Sequence, residues 1–130
     1  MEGQPTASTH GSKRVLIADD DADVCALLEA VLRPYGHVTS VHDAEAALEL
    51  LASQGPYDVI ISDFMLPGIN GLEFVRRIRS DEHEGHVPIL MISGHGTVGV
   101  GEHARAAGAD AFLDKPFTLA QLRETIGALL

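Results

Sequence analysis

Val15-Leu16-Ile17-Ala18-Asp19-Asp20-Asp21 and Val59-Ile60-Ile61-Ser62-Asp63 are the two stretches that decide the fold of this chain. Each is a short aliphatic run that stops on a carboxylate. An unbroken apolar run of that length reads as a strand buried on both faces, as in parallel sheets, and open α/β sheets place their sites beyond the carboxyl ends of such strands. If the two strands are neighbours, Asp19, Asp20 and Asp63 share one pocket. Like charges about 5 Å apart repel by ~3 kcal/mol at an effective dielectric of ~20, so the cluster must bind a cation, hold a proton or stay wet. A hard, oxygen-seeking ion such as Mg²⁺ suits it.

Working outward, a strand followed by a helical stripe recurs five times. Val24, Leu27, Leu28, Val31 and Leu32 keep helical spacing and are stopped by Pro34 and Gly36. A weak strand at 38–41 leads to the stripe Ala44, Ala47, Leu48 and Leu51, ended by Gly55-Pro56. The third strand covers 58–62; beyond the turn Pro67-Gly68, Leu72, Val75 and Ile78 mark a third helix with Arg76, Arg77 and Arg79 on its solvated side. The fourth strand covers 88–93 and the fifth 111–114. The last helix opens on Thr118 and Gln121, a capping-box spacing, and runs through Leu119, Leu122, Ile126 and Leu129. Such alternation implies an α/β domain with a parallel sheet covered on both faces. Four glycines, Gly94, Gly96, Gly99 and Gly101, precede Glu102, and the last two fall where the fourth helix should already be running. Each costs ~1 kcal/mol against alanine, so regular helix is expected only over 102–107.

The bulk composition narrows the function. One domain with a full core accommodates 130 residues of which 45% are hydrophobic. Nine basic against nineteen acidic residues, a net charge of −10, oppose direct nucleic-acid binding and favour protein and cation partners. Cys25 is the single cysteine and reads as a half-buried thiol, which suits a reducing cytoplasm. No apolar run is long enough to span a bilayer, and residues 1–12 are polar and turn-rich, a disordered tail or a remnant of cloning ahead of a domain over 13–130.

Asp19-Asp20, the stretch Asp63-Phe64-Met65-Leu66-Pro67-Gly68-Ile69-Asn70-Gly71, Ser93 and Lys115-Pro116-Phe117 occur in this order, each at a strand end, and over residues 13–130 the chain resembles the response-regulator receiver domain of two-component signalling, of the chemotaxis-regulator type. The resemblance implies a flavodoxin-like, doubly wound five-stranded sheet of order 2-1-3-4-5 with five helices. It further implies that Asp63 accepts a phosphoryl group from the phosphohistidine of a sensor histidine kinase or phosphotransfer protein, with Mg²⁺ as cofactor. Asp20, Asp63 and the main-chain carbonyl of Met65 would ligate the metal, Asp19 mainly through a bound water. Lys115 would pair with the phosphoryl group, the Ser93 hydroxyl would hydrogen-bond it, and Phe112 would turn inward as Ser93 moves. Partner binding at the face of the fourth helix, fifth strand and fifth helix would change, the output being a downstream protein or a fused effector domain. The Lys115-Pro116 bond is expected to be cis. The resemblance thus implies a signalling phosphoacceptor that would catalyse only its own phosphotransfer and dephosphorylation.

Three other readings are weaker. A small Mg²⁺-dependent phosphatase with an aspartate nucleophile would want a second carboxylate two residues after Asp63, where Met65 stands. The G-x-G-x-x-G match at Gly94-His95-Gly96-Thr97-Val98-Gly99 follows the wrong strand and lacks the acidic residue that holds a ribose. His83 and His86 have metal-like spacing but sit in a polar loop. Asp21 reads as the cap of the first helix, outside the acidic site.

Overall fold

The computed structural model describes residues 12–81, 85–94 and 100–130. The elements alternate as β1 (Lys13–Ala18), α1 (Ala22–Leu32), a 3₁₀ turn (Arg33–Tyr35), β2 (Gly36–Val41), α2 (Ala44–Gln54), β3 (Val59–Asp63), α3 (Gly71–Arg79), β4 (Ile89–Ser93), α4 (Val100–Ala107), β5 (Ala111–Asp114) and α5 (Leu119–Leu129). The five strands form one parallel sheet in the order 2-1-3-4-5.

Strand periodicity divides the core in two. Leu16, Ala18, Ile60, Ile89 and Met91 point to one face, where Ala47 and Leu51 of α2, Phe74 and Ile78 of α3 and Ala104 of α4 cover them. Val15, Ile17, Val59, Ile61, Leu90 and Ile92 point to the other, against Leu28 and Leu32 of α1 and Leu122 and Ile126 of α5. Each central strand therefore buries both faces and must be apolar throughout, which is why these runs do not alternate in sequence.

Helix starts are set by short polar side chains. Asp21 Oδ1 accepts from the N–H groups of Asp23 and Val24, capping α1, and Asp43 and Asn70 cap α2 and α3 in the same way. Thr118 and Gln121 form both bonds of a capping box at α5. The Lys115-Pro116 peptide is cis, and so is Gly55-Pro56.

Three expectations need correction. The described part of the fourth helix, Val100–Ala107, already includes Val100 and Gly101 ahead of the expected Glu102. The reason is tertiary: a Cβ on Gly101 would lie 3.2 Å from Phe112 Cδ2, so the glycine lets the helix sit close to the β5 ring. Leu27 and Leu119 keep the helical spacing of their stripes yet remain 41% and 42% exposed, while Leu28 and Leu32 of α1 and Leu122 and Ile126 of α5 are buried. Arg79 is not a solvated residue: its guanidinium donates to the carbonyls of Gly85, Val87 and Gly108 and pairs with Asp110 at 2.7 Å. The expected tail at residues 1–11, His83, and residues 95–99, which hold His95 and most of the glycine match, lie outside the described residues.

Candidate functional site

Register brings the acids together. Ala18 of β1 is opposite Ser62 of β3, so Asp19, just past β1, comes beside Asp63, the last residue of β3, which still pairs with Ile92 of β4. Asp19, Asp20 and Asp63 each offer a carboxylate oxygen within 4.8 Å of the other two. Asp19 and Asp63 are buried and Asp20 is exposed. Asp63 Oδ1 accepts from the Met65 N–H at 3.3 Å, which leaves Oδ2 towards Lys115, whose ammonium lies 4.0 Å away. The same ammonium is 3.7 Å from Asp19 Oδ2.

Burial, reinforced by the charge of Asp19, raises the Asp63 carboxyl above the ordinary carboxylate range, with the Met65 N–H and Lys115 working the other way. Asp19 is likewise raised, mainly by burial and against a hydrogen bond from the Asp21 N–H and the pull of Lys115. One ammonium against three ionised carboxylates leaves two negative charges, which one divalent cation would balance. An all-oxygen set at a pocket with one wet side fits Mg²⁺, which keeps several waters of its own.

The other residues singled out in the sequence lie on β4, on β5 and in the segment after β3. Ser93 is buried at the end of β4, and the Lys115 N–H donates to its carbonyl at 2.7 Å, tying the β5 exit to the β4 exit. The Met65 side chain is 64% exposed and has no proton to give, so a general acid two residues after Asp63 is missing. Phe112 is half-buried in β5 opposite Met91, packed on the core beneath α4.

Two side chains at the site carried no signal in the sequence. The Cys25 thiol, on α1, donates to the Asp19 carbonyl at 3.3 Å, and His42 Nδ1, from the loop after β2, lies 3.2 Å from the same oxygen. Cys25 is buried rather than half-buried, and burial with the nearby charge of Asp19 holds its thiol above the usual range. Neither residue has a spacing that names it; only the three-dimensional meeting on one carbonyl does.

Comparison with known proteins gives one consistent result. The family model for the response regulator receiver domain matches residues 15–127. The response regulator MprA of Mycobacterium ulcerans (strain Agy99) is 38% identical over 120 residues, 92% of this chain and 50% of that protein, so the chain spans about half the length of this relative. The chemotaxis protein CheY-3 of Vibrio cholerae serotype O1 is 31% identical over 115 residues, covering 87% of this chain and 88% of that one. Among solved structures, the receiver domain of the sensor histidine kinase PA1611 from Pseudomonas aeruginosa PAO1, with a magnesium ion coordinated in its active-site cleft, is similar with a TM-score of 0.80 and 30% identity over 92% of this chain and 98% of that one.

Proposed function

Because the chain belongs to the response regulator receiver family of two-component signalling, we propose that it is a phosphoacceptor switch in which Asp63 takes a phosphoryl group from the phosphohistidine of a sensor kinase or phosphotransfer protein. The observation that carries this reading is the buried Asp63 carboxylate, set within 4.8 Å of Asp19 and Asp20 and facing the Lys115 ammonium. Asp20, Asp63 and the Met65 carbonyl would hold Mg²⁺ directly and Asp19 through water. When bound, the ion would supply charge neutralisation for the incoming phosphoryl oxygens.

The protein's own groups then do the following. Asp63 Oδ1 is engaged by the Met65 N–H, so Oδ2 is the attacking oxygen. An O–P bond forms at Oδ2 as the N–P bond of the phosphohistidine breaks, the imidazole nitrogen keeps the electron pair, and it later takes a proton from solvent. Lys115 pairs with a phosphoryl oxygen as a compact cation, and the Ser93 hydroxyl donates to another. Drawing Ser93 towards the phosphoryl group opens space for the Phe112 ring, which couples the site to the surface of α4, β5 and α5, where a downstream protein or fused effector reads the state. The net charge of −10 makes direct nucleic-acid binding by this domain unfavourable. Among the described residues no helix is long and apolar enough to cross a membrane, and a lone thiol suits work in the cytoplasm.

Incubation with acetyl phosphate and Mg²⁺ should add the mass of one phosphoryl group, and Asp63→Asn should take up none. Undiminished labelling of that variant overturns the assignment.

A further inference from the structure

Asp19 and Asp20 are joined by a single peptide group, so one rigid plane carries both acids, one at each end. The carbonyl oxygen of that plane belongs to Asp19. It receives the Cys25 thiol at 3.3 Å from the buried side and the His42 ring at 3.2 Å from the solvent side. Since the acceptor is a carbonyl, the imidazole must present N–H at Nδ1. The other groups of Asp19 are engaged as well: its N–H donates to the Val41 carbonyl at 3.1 Å, and its Oδ1 accepts from the Asp21 N–H at 2.9 Å. With the plane held through its oxygen, neither carboxylate can swing by rotation of that peptide, and Asp19 Oδ2 stays directed towards Lys115.

We propose that Cys25 and His42 are positioning residues for metal binding, gripping the Asp19–Asp20 peptide from α1 and from the loop after β2 so that both carboxylates are aimed before the cation arrives. Neither residue touches the metal or the phosphoryl group. The inference rests on the reading of the acidic cluster as the Mg²⁺ site and adds residues to it. Outer groups that orient metal ligands commonly change affinity tenfold or more, and these act one step further away, through the backbone. A loss of about fivefold in Mg²⁺ affinity is therefore expected for each truncation.

The test is calorimetric titration with Mg²⁺ of the intact chain and five variants: Cys25→Ala, Cys25→Ser, His42→Ala, His42→Asn and Asp20→Asn. The alanine variants should bind Mg²⁺ about fivefold more weakly, while serine and asparagine, which restore a donor to the carbonyl, should stay within about twofold of the parent. In acetyl phosphate labelling, the Mg²⁺ concentration for half-maximal rate should rise in the alanine variants with the rate at saturating Mg²⁺ unchanged, a split that general loosening of the fold would not produce. His42 is exposed, so its variants remain folded and informative even if Cys25→Ala does not. Unchanged affinity in the alanine variants beside lost affinity in Asp20→Asn overturns the positioning role alone, as does weakened binding that serine and asparagine fail to rescue. Unchanged affinity in Asp20→Asn removes the metal site itself and the inference with it.

Discussion

At Asp63 the chain keeps a carboxylate where burial and the charge of Asp19 both disfavour it, with only Lys115 and a backbone N–H in support. Asp19 is disfavoured for the same leading reason. A carboxyl whose folded value is raised binds its proton more tightly in the fold than in the unfolded chain, so its contribution to stability is fully present below the ordinary carboxylate range and is lost as pH rises through the raised value. In Mg²⁺-free buffer, urea unfolding should therefore show stability falling from about pH 4 towards neutrality on account of these two groups. Asp63→Asn, which removes one charge without changing the shape, should be more stable than the parent at pH 7 by on the order of 1 kcal/mol, with the gap closing at low pH. A variant less stable than the parent at pH 7 would show that Lys115 outweighs burial. The same scale explains what could be read in advance. Asp19, Asp20 and Asp63 announce themselves because a carboxylate at the end of an apolar run is a local signal, whereas Ser93 and Lys115 are picked out by the family resemblance. Cys25 and His42 do not, because a hydrogen bond to a backbone carbonyl from a residue 6 or 23 positions away leaves no pattern in the sequence.

Between elements, two contacts decide how α3, α4 and β5 sit together. Arg79 ends α3 and joins it to the segment before β4, to the Gly108 turn after α4 and to Asp110 just before β5, with its side chain only 21% exposed. Arg79→Ala should cost about 2–3 kcal/mol in denaturant unfolding, since several carbonyls lose their donor at once, and Arg79→Lys should recover little of it because one ammonium cannot reproduce the planar fork. At α4, Gly101 faces the Phe112 ring with 3.2 Å available for a Cβ. Gly101→Ala gains up to ~1 kcal/mol in helix propensity but pushes the ring, so its net gain should be well below that figure in the parent and recover most of it in a Phe112→Leu background. Equal gains in both backgrounds would separate the glycine from the ring. If Phe112 reports the phosphorylation state, the same substitution should also reduce the dependence of partner binding on phosphorylation. Glycine propensity argues against helix at Gly101, where packing against the Phe112 ring of β5 favours it.

For the whole molecule, metal and fold are coupled through the acidic end of the sheet. A ligand that binds only the folded state stabilises it by about 2.7 kcal/mol at a hundredfold excess over its dissociation constant, so Mg²⁺ should raise the melting temperature by several degrees, and Asp20→Asn should abolish the rise. An equal rise in that variant would place the ion elsewhere. The amino-acid sequence by itself determined the fold class, the alternation of five strands and helices, the capping of α1 and α5 and the family, because these rest on local periodicity, on short-range hydrogen bonds and on motifs fixed at strand ends. Strand order came through the family resemblance, as periodicity does not say which strands are neighbours. Only the tertiary structure decided that Arg79 is a half-buried anchor, that Leu27 and Leu119 are partly exposed, that α4 takes in Val100 and Gly101, and that a thiol and an imidazole close on the Asp19 carbonyl. Each of these depends on which atoms meet across the fold, and distance in space between residues far apart in the chain is set by packing on the two faces of the sheet.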